Sequence, residues 1–344
     1  MRAAVLHRKG DIRLEDRPIP RPAAGEILVK VKSAAICGTD LRMWKNGVAG
    51  DRPVVLGHEI AGVVAGLGDG VRGYAEGDRV SIAPNMGCGV CDECVAGRTH
   101  MCADYRALGI QLDGGFQEYV IVPADAVTQG NVCKLGQSIG YDEAAVVEPF
   151  SCVYNAFEGY APKPGDIALI VGTGPIGIMH AKLMRMAGAA VVLMNDLSKD
   201  RLDACAAIEP TVKTYFGDDL VGHVARATGG KGLNVCVTAC PSPEAQAAAL
   251  PMMALYGRVC FFGGLPAGKD LVPLNTNLIH YRQLVVTGST RASLSQYRRC
   301  LSLVDRGVVD IAPLITDRFP IERIGEAFQY AASAGGLKSV IYFD

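Results

Sequence analysis

Four groups of residues in this 344-residue chain have types and spacings that can do chemistry. In the first, Gly57-His58-Glu59 sets an imidazole beside a carboxylate between apolar runs, and Cys37, 21 residues upstream, adds a thiolate after Ala34-Ala35-Ile36. Thiolate and imidazole around an open position are what a catalytic zinc requires. In the second, Cys88, Cys91, Cys94 and Cys102 are spaced Cys-x2-Cys-x2-Cys-x7-Cys, and Gly87, Gly89 and Gly97 let the backbone curl until four sulfurs surround one ion. Four thiolates leave no position for water, so such a site is structural and holds its loop as the loop folds. The third is Glu148 in Val146-Val147-Glu148-Pro149. A carboxylate among apolar neighbours is costly to bury unless paired or metal-bound, and a helix-start residue is the other reading. The fourth, Gly172-Thr173-Gly174-Pro175-Ile176-Gly177, follows the apolar run Ile167–Val171 and opens a helix with Ile176, Met179, Leu183 and Met186 on one stripe. These glycines let the backbone approach a pyrophosphate, which the helix N-terminus stabilises. Asp196, 22 residues after Gly174, either accepts both ribose hydroxyls and repels a 2′-phosphate, favouring NAD over NADP, or caps the next turn.

The run Gly57-His58-Glu59 with Gly62, Gly68 and Val71 at their intervals resembles the zinc signature of the medium-chain alcohol dehydrogenases, and the similarity covers essentially the whole chain. The resemblance implies two zinc ions per chain, one catalytic and one structural, with NAD as cofactor. It implies Cys37 and His58 as ligands of the catalytic ion, with Glu59 or Glu148 as the third. Glu148-Pro149 is similar to the polyol branch, which includes sorbitol (L-iditol) and galactitol-phosphate dehydrogenases; the alcohol branch has a cysteine near this point. The implied reaction is hydride transfer from a secondary alcohol of a polyol to NAD, giving the ketose, with zinc lowering the pKa of the substrate hydroxyl. Thr39 is implied as the hydroxyl that passes the substrate proton on, so the catalytic set is Thr39, Glu59 and Glu148. By the same resemblance Arg201 lies along the adenosine, while Gly264, Leu265, Ser289, Thr290 and Arg291 line the nicotinamide half. Two positions depart from the pattern. Arg42 stands where sorbitol and threonine dehydrogenases usually have a histidine ending the proton relay, and a guanidinium cannot accept that proton. Met43 precedes Trp44 where sorbitol dehydrogenases tend to show an aromatic residue. Arg42 and Lys45 either bind a substrate phosphate or are solvated surface charges. Alternative readings are a polyol-phosphate dehydrogenase of the galactitol-1-phosphate kind, L-threonine 3-dehydrogenase, 2,3-butanediol dehydrogenase, or a nucleotide-binding protein without catalytic zinc.

The elements that must position these residues divide at about 150. Residues 1–150 carry short Val/Ile runs broken by Gly and Pro, the pattern of a mostly β domain, GroES-like by the resemblance. Residues 151–289 alternate strands and helices, which fits a doubly wound parallel sheet, a Rossmann domain for NAD. After about 290 the alternation stops, and the family architecture implies that 290–344 completes the first domain, with the active site in the cleft between the two. The fold class is therefore α/β, and the length agrees with two domains. With 34 basic against 35 acidic residues, the net charge of -1 points away from nucleic acid or an anionic membrane and towards a small-molecule substrate. No 18-residue apolar run is present, and twelve cysteines in a chain without a signal-like N-terminus read as metal ligands and buried thiols of a reducing cytoplasm. The resemblance implies a homo-oligomer, a tetramer or a dimer.

Overall fold

The Val/Ile runs of the first half become strands, because β-branched side chains pack well on a pleated surface while Gly and Pro end each run. The computed structural model describes residues 1–48 and 52–344 and divides into two units, Met1–Ser151 with Arg291–Asp344, and Cys152–Thr290. In the first unit one sheet runs in the order Val132–Lys134, Arg79–Ile82, Glu59–Leu67, Ile27–Ala35, Lys338–Tyr342, Ile315–Pro320, and Tyr119–Val122 also pairs with Ile27–Ala35. A smaller sheet joins Asp11–Asp16, Arg2–Arg8 and Val54–Val55. Their inner faces bury Leu6, Ile27, Val29, Val31, Leu56, Ile60 and Phe116 completely. The ring of Phe328 closes this core edge-on against Phe116 and Trp44. Register then brings the chemistry together: the antiparallel pairs Ala35↔Glu59 and Ala35↔Val340 carry Cys37, just past the central strand, alongside both His58 and Lys338.

Residues 291–344 correct one expectation, since the alternation of helix and strand does not stop at 290. Helix Leu294–Asp305, strand Ile315–Pro320, helix Ile324–Ala332 and strand Lys338–Tyr342 follow, and the two strands are parallel. The second helix spans only nine residues, and a lysine opens the last strand, so neither gives a clean apolar period.

A second correction concerns Glu148. It is not a helix-start residue but the eighth residue of the helix Tyr141–Tyr160, which continues through Pro149. The residue before a proline usually avoids helical geometry, which is why the sequence suggests a start there. A neighbouring carbonyl on the preceding turn, that of Ala144, accepts a hydrogen bond from Ser81 Oγ at 2.9 Å.

The second unit holds six strands, all parallel, in the order Lys213–Tyr215, Val191–Asn195, Ile167–Val171, Leu233–Thr238, Met253–Phe261, Val285–Gly288. Ala168, Leu169, Ile170, Val235, Cys236 and Val237 are fully buried, as a parallel sheet covered on both faces requires. The chain order reverses between Ile167–Val171 and Leu233–Thr238, the switch point at which such sheets bind ligands beyond their carboxyl ends. Among the described residues no helix is long and apolar enough to cross a membrane.

Candidate functional site

Cys37 is the N-cap of the helix Gly38–Asn46. Its Sγ accepts from Thr39 N at 3.5 Å, and its own N–H donates to Asp40 Oδ2 at 2.8 Å, a reciprocal cap that fixes the thiol's direction. Asp40 is fully buried; its Oδ1 accepts from Gly57 N and lies 3.5 Å from His58 Nδ1. Gly57 is left-handed (φ 92), and a Cβ there would press on the Phe116 ring, so the bend that presents His58 needs glycine. One donor atom each from Cys37, His58 and Glu59 lies within 4.8 Å of the other two. Glu148 is 5% exposed and is not part of that group, although its charge is close enough to raise the Glu59 carboxyl.

The set is rich in negative charge. His58 Nδ1 is buried 3.5 Å from the Asp40 carboxylate without a hydrogen bond, and both Glu59 oxygens face the Lys338 ammonium. Burial opposes a charge on the His58 ring, yet Cys37 and Asp40 hold its pKa well above the ordinary value. Burial also pushes the Glu59 carboxyl up to about 7, against the pull of the Lys338 ammonium. Lys338 Nζ donates to Glu59 Oε1 at 2.6 Å and to the Ile36 carbonyl at 2.9 Å. Thiolate, imidazole and carboxylate converging in a buried, electron-rich spot fit a zinc ion. Thr39 is the second residue of the same helix, and Arg42 Nη2 donates to its Oγ1 at 3.4 Å, while Arg42 and Lys45 are exposed. Sequence reasoning gave no role to Asp40 or Lys338. The signals available were an acid at the third helical position after Cys37 and a buried lysine opening the strand Lys338–Tyr342.

The four lobe cysteines also converge within 4.8 Å, and all twelve cysteines are free thiols. Backbone N–H groups of Cys88 and Cys91 point at the sulfurs of Cys102 and Cys88, each at 3.3 Å. Such N–H···S contacts stabilise thiolates, and those from Val90 and Cys91 lower the Cys88 thiol to about 7. Gly89 and Gly97 are left-handed, and a Cβ on Gly87 would lie 2.5 Å from Cys94 Sγ. This geometry fits a second zinc.

In the second unit Gly172 is left-handed (φ 106) and a Cβ on Gly177 would sit 1.9 Å from the Gly172 carbonyl, so the strand-to-helix turn closes tightly. Gly174 is the N-cap of Pro175–Met186, with Pro175 and Ile176 in its first turn and nothing within 4 Å of a Cβ, which leaves room for a phosphate. Asp196 Oδ2 accepts from Thr173 N at 2.8 Å and Thr173 Oγ1 at 2.9 Å, and Oδ1 accepts from Ser198 N. The carboxylate is thus tied to the glycine turn as well as to the helix that follows. Arg201 lies in the first turn of the helix Lys199–Ile208, which Ser198 caps through the Arg201 N–H. Gly264 and Leu265 follow the strand Met253–Phe261, and Ser289 and Thr290 follow Val285–Gly288. Asp196, Gly172–Gly177, Gly264–Leu265 and Ser289–Thr290 therefore share the carboxyl end of one parallel sheet. Thr238 Oγ1 and Ser289 Oγ there are buried and unpartnered; nothing in the sequence singled out Thr238.

Comparison with known proteins gives a concordant result. The model of the alcohol dehydrogenase GroES-like domain matches residues 23–132, and the zinc-binding dehydrogenase model matches residues 175–306. Sorbitol dehydrogenase from Bacillus subtilis (strain 168) is 31% identical, with 99% of this chain and 97% of that protein aligned. L-threonine 3-dehydrogenase from Streptomyces coelicolor is 34% identical over 95% of both chains. A zinc-binding dehydrogenase from Sinorhizobium meliloti 1021, solved with NADP bound, is 30% identical and superimposes with a TM-score of 0.91 over 99% of both chains.

Proposed function

We propose, on the premise that this chain belongs to the zinc-binding alcohol dehydrogenase family and is an NAD(P)-dependent dehydrogenase, that it oxidises a secondary alcohol of a polyol to the ketose. The observation that carries the reading is the convergence of half-buried Cys37 with buried His58 and Glu59, at the start of the helix that also carries Thr39. Cys37 and His58 would hold the zinc, with Glu59 rather than Glu148 as third donor because only Glu59 shares the 4.8 Å group. Zinc there supplies a Lewis acid for the substrate hydroxyl, and NAD the hydride acceptor. Asp40 orients His58, and the Lys338 ammonium favours the ionised form of Glu59 against the cost of its burial. Thr39 receives the substrate proton; because Arg42 already donates to Thr39 Oγ1 and stays protonated, the proton leaves by another route. Gly172, Gly174, Pro175, Ile176 and Gly177 would cradle the pyrophosphate, with Asp196 on the ribose favouring NAD, Arg201 along the adenosine, and Gly264, Leu265, Ser289 and Thr290 along the nicotinamide. Cys88, Cys91, Cys94 and Cys102 would hold the structural ion.

The exposed cation Arg42, one helical turn from Thr39, favours a second reading in which the substrate carries an anionic group, as L-threonine or a polyol phosphate does. Zinc content and NAD reduction measured together decide between them, using free polyols, their phosphates, 2,3-butanediol and threonine. Two zincs with the highest specificity constant on a free polyol supports the leading reading; threonine or a phosphate highest replaces it; one zinc and no turnover removes both. Equal specificity constants for polyol and phosphate in wild type and Arg42→Ala would end the anionic-substrate reading.

The assembly is proposed to be a dimer or tetramer. Support comes from the sheet edge Val285–Gly288, where Val285 is 50% exposed and Tyr281 beside it 75%. An apolar edge left bare is an aggregation hazard, which a partner strand removes. A monomeric mass by light scattering would rule it out.

A further inference from the structure

Arg291 follows Ser289-Thr290 and is the first residue of the returning segment. Its backbone is left-handed (φ 56), a conformation that an arginine keeps only where its surroundings over-determine it. The surroundings are the cysteine lobe. Arg291 Nη1 donates to the His100 carbonyl at 2.9 Å, and its guanidinium lies 3.8 Å over the Tyr105 ring. His100 and Tyr105 bracket Cys102, the last of the four sulfurs. A second connection runs parallel to the first: Tyr105 Oη donates to Asn85 Oδ1 at 2.6 Å, and Asn85 Nδ2 donates to the Ala292 carbonyl at 3.3 Å. Asn131 Nδ2 holds Asn85 in turn through its carbonyl at 2.8 Å.

We propose that Arg291 is a positioning residue that clamps the four-cysteine lobe to the returning chain, so that one contact sets both the retention of the lobe metal and the backbone at Ser289-Thr290. The first consequence stands on the lobe's own contacts. The second rests on the reading that Ser289 and Thr290 face the nicotinamide.

The test is a double-mutant cycle of Arg291→Ala and Tyr105→Leu, with Arg291→Lys as the conservative variant. Zinc release to a chromogenic chelator is followed in the Cys37→Ser background, so that only the lobe ion is counted. The KM for NAD and kcat are read in the otherwise native enzyme. Each single substitution is expected to speed release about threefold to tenfold, and the double by clearly less than the product of the two singles, because both remove the one Arg291–Tyr105 cation–π contact. Arg291→Lys, which keeps a cation over the ring, should fall near wild type, and Arg291→Ala should raise the KM for NAD more than it lowers kcat. Unchanged release in both singles, or full additivity, overturns the clamp. Faster release with an unmoved KM keeps the clamp and refutes the nicotinamide placement of Ser289-Thr290; a raised KM with unchanged release does the reverse. If Arg291→Ala does not fold, Tyr105→Leu against Arg291→Lys carries the same comparison.

Discussion

The Thr39 hydroxyl accepts from Arg42, and Thr39 meets Cys37 through its backbone N–H alone, so its hydroxyl can be removed without disturbing Cys37. Thr39→Val is expected to lower kcat by about 100-fold or more, the usual worth of a positioned proton-transfer group, with zinc content unchanged and Thr39→Ser largely active. Retained activity in Thr39→Val would remove it from the relay. Lys338 supports a prediction with a built-in control. It is buried against Glu59, and deleting one partner of a buried pair strands the other charge at a cost of roughly 3–5 kcal/mol. Lys338→Met should therefore lower the melting temperature more in chelator-treated protein than in zinc-loaded protein, where a bound cation compensates Glu59. Equal losses in the two states would argue against zinc at Glu59. Asp196→Ser should raise the ratio of kcat/KM for NADP over NAD by about tenfold or more, since the repulsion of a 2′-phosphate goes with the carboxylate. An unchanged ratio would return Asp196 to the simpler task of tying the turn at Thr173 to Ser198.

Among the elements, the glycine turn and the cysteine lobe were legible because their function is built from local sequence. Glycines at set intervals permit the tight approach, and the helix or curl that uses them follows at once. A Cβ on Gly177 has no room beside the Gly172 carbonyl, so Gly177→Ala should raise the KM for NAD about tenfold or more with the zinc count unaltered. A normal KM would mean that the turn relaxes without cost to the cofactor. The helix Tyr141–Tyr160 was less legible, because Pro149 marks a boundary in local terms while packing on both sides carries the helix through it. The helix–strand pair after residue 320 was missed for a related reason: nine residues with three buried positions are too few to show a period.

At the scale of the whole molecule, folding energy is coupled to groups that the chemistry does not use. His180 is fully buried, its Nδ1 3.0 Å from Tyr160 Oη and its ring edge-on to Phe262, and burial lowers its pKa from 6.5 to about 3. Between those values the unfolded chain binds a proton that the folded chain refuses. The contribution is complete above about pH 6.5 and is lost as the pH falls, by about 1.4 kcal/mol per unit. Unfolding midpoints compared at pH 7 and pH 5 should drop more in wild type than in His180→Gln by the equivalent of about 2 kcal/mol; parallel losses would show that His180 does not titrate on unfolding. By itself the sequence pointed to three kinds of site: a Cys/His/Glu set able to hold a zinc ion, a four-cysteine lobe and a glycine turn suited to a dinucleotide, each marked by residue type and spacing. Only the tertiary structure decided which residues complete them. Strand register sets Lys338 beside Glu59 across 279 positions of chain, Asp40 becomes the partner of His58, and Glu148 falls outside the converging group. Contacts of that length depend on hydrogen-bond register and side-chain packing, and neither leaves a local pattern in the chain.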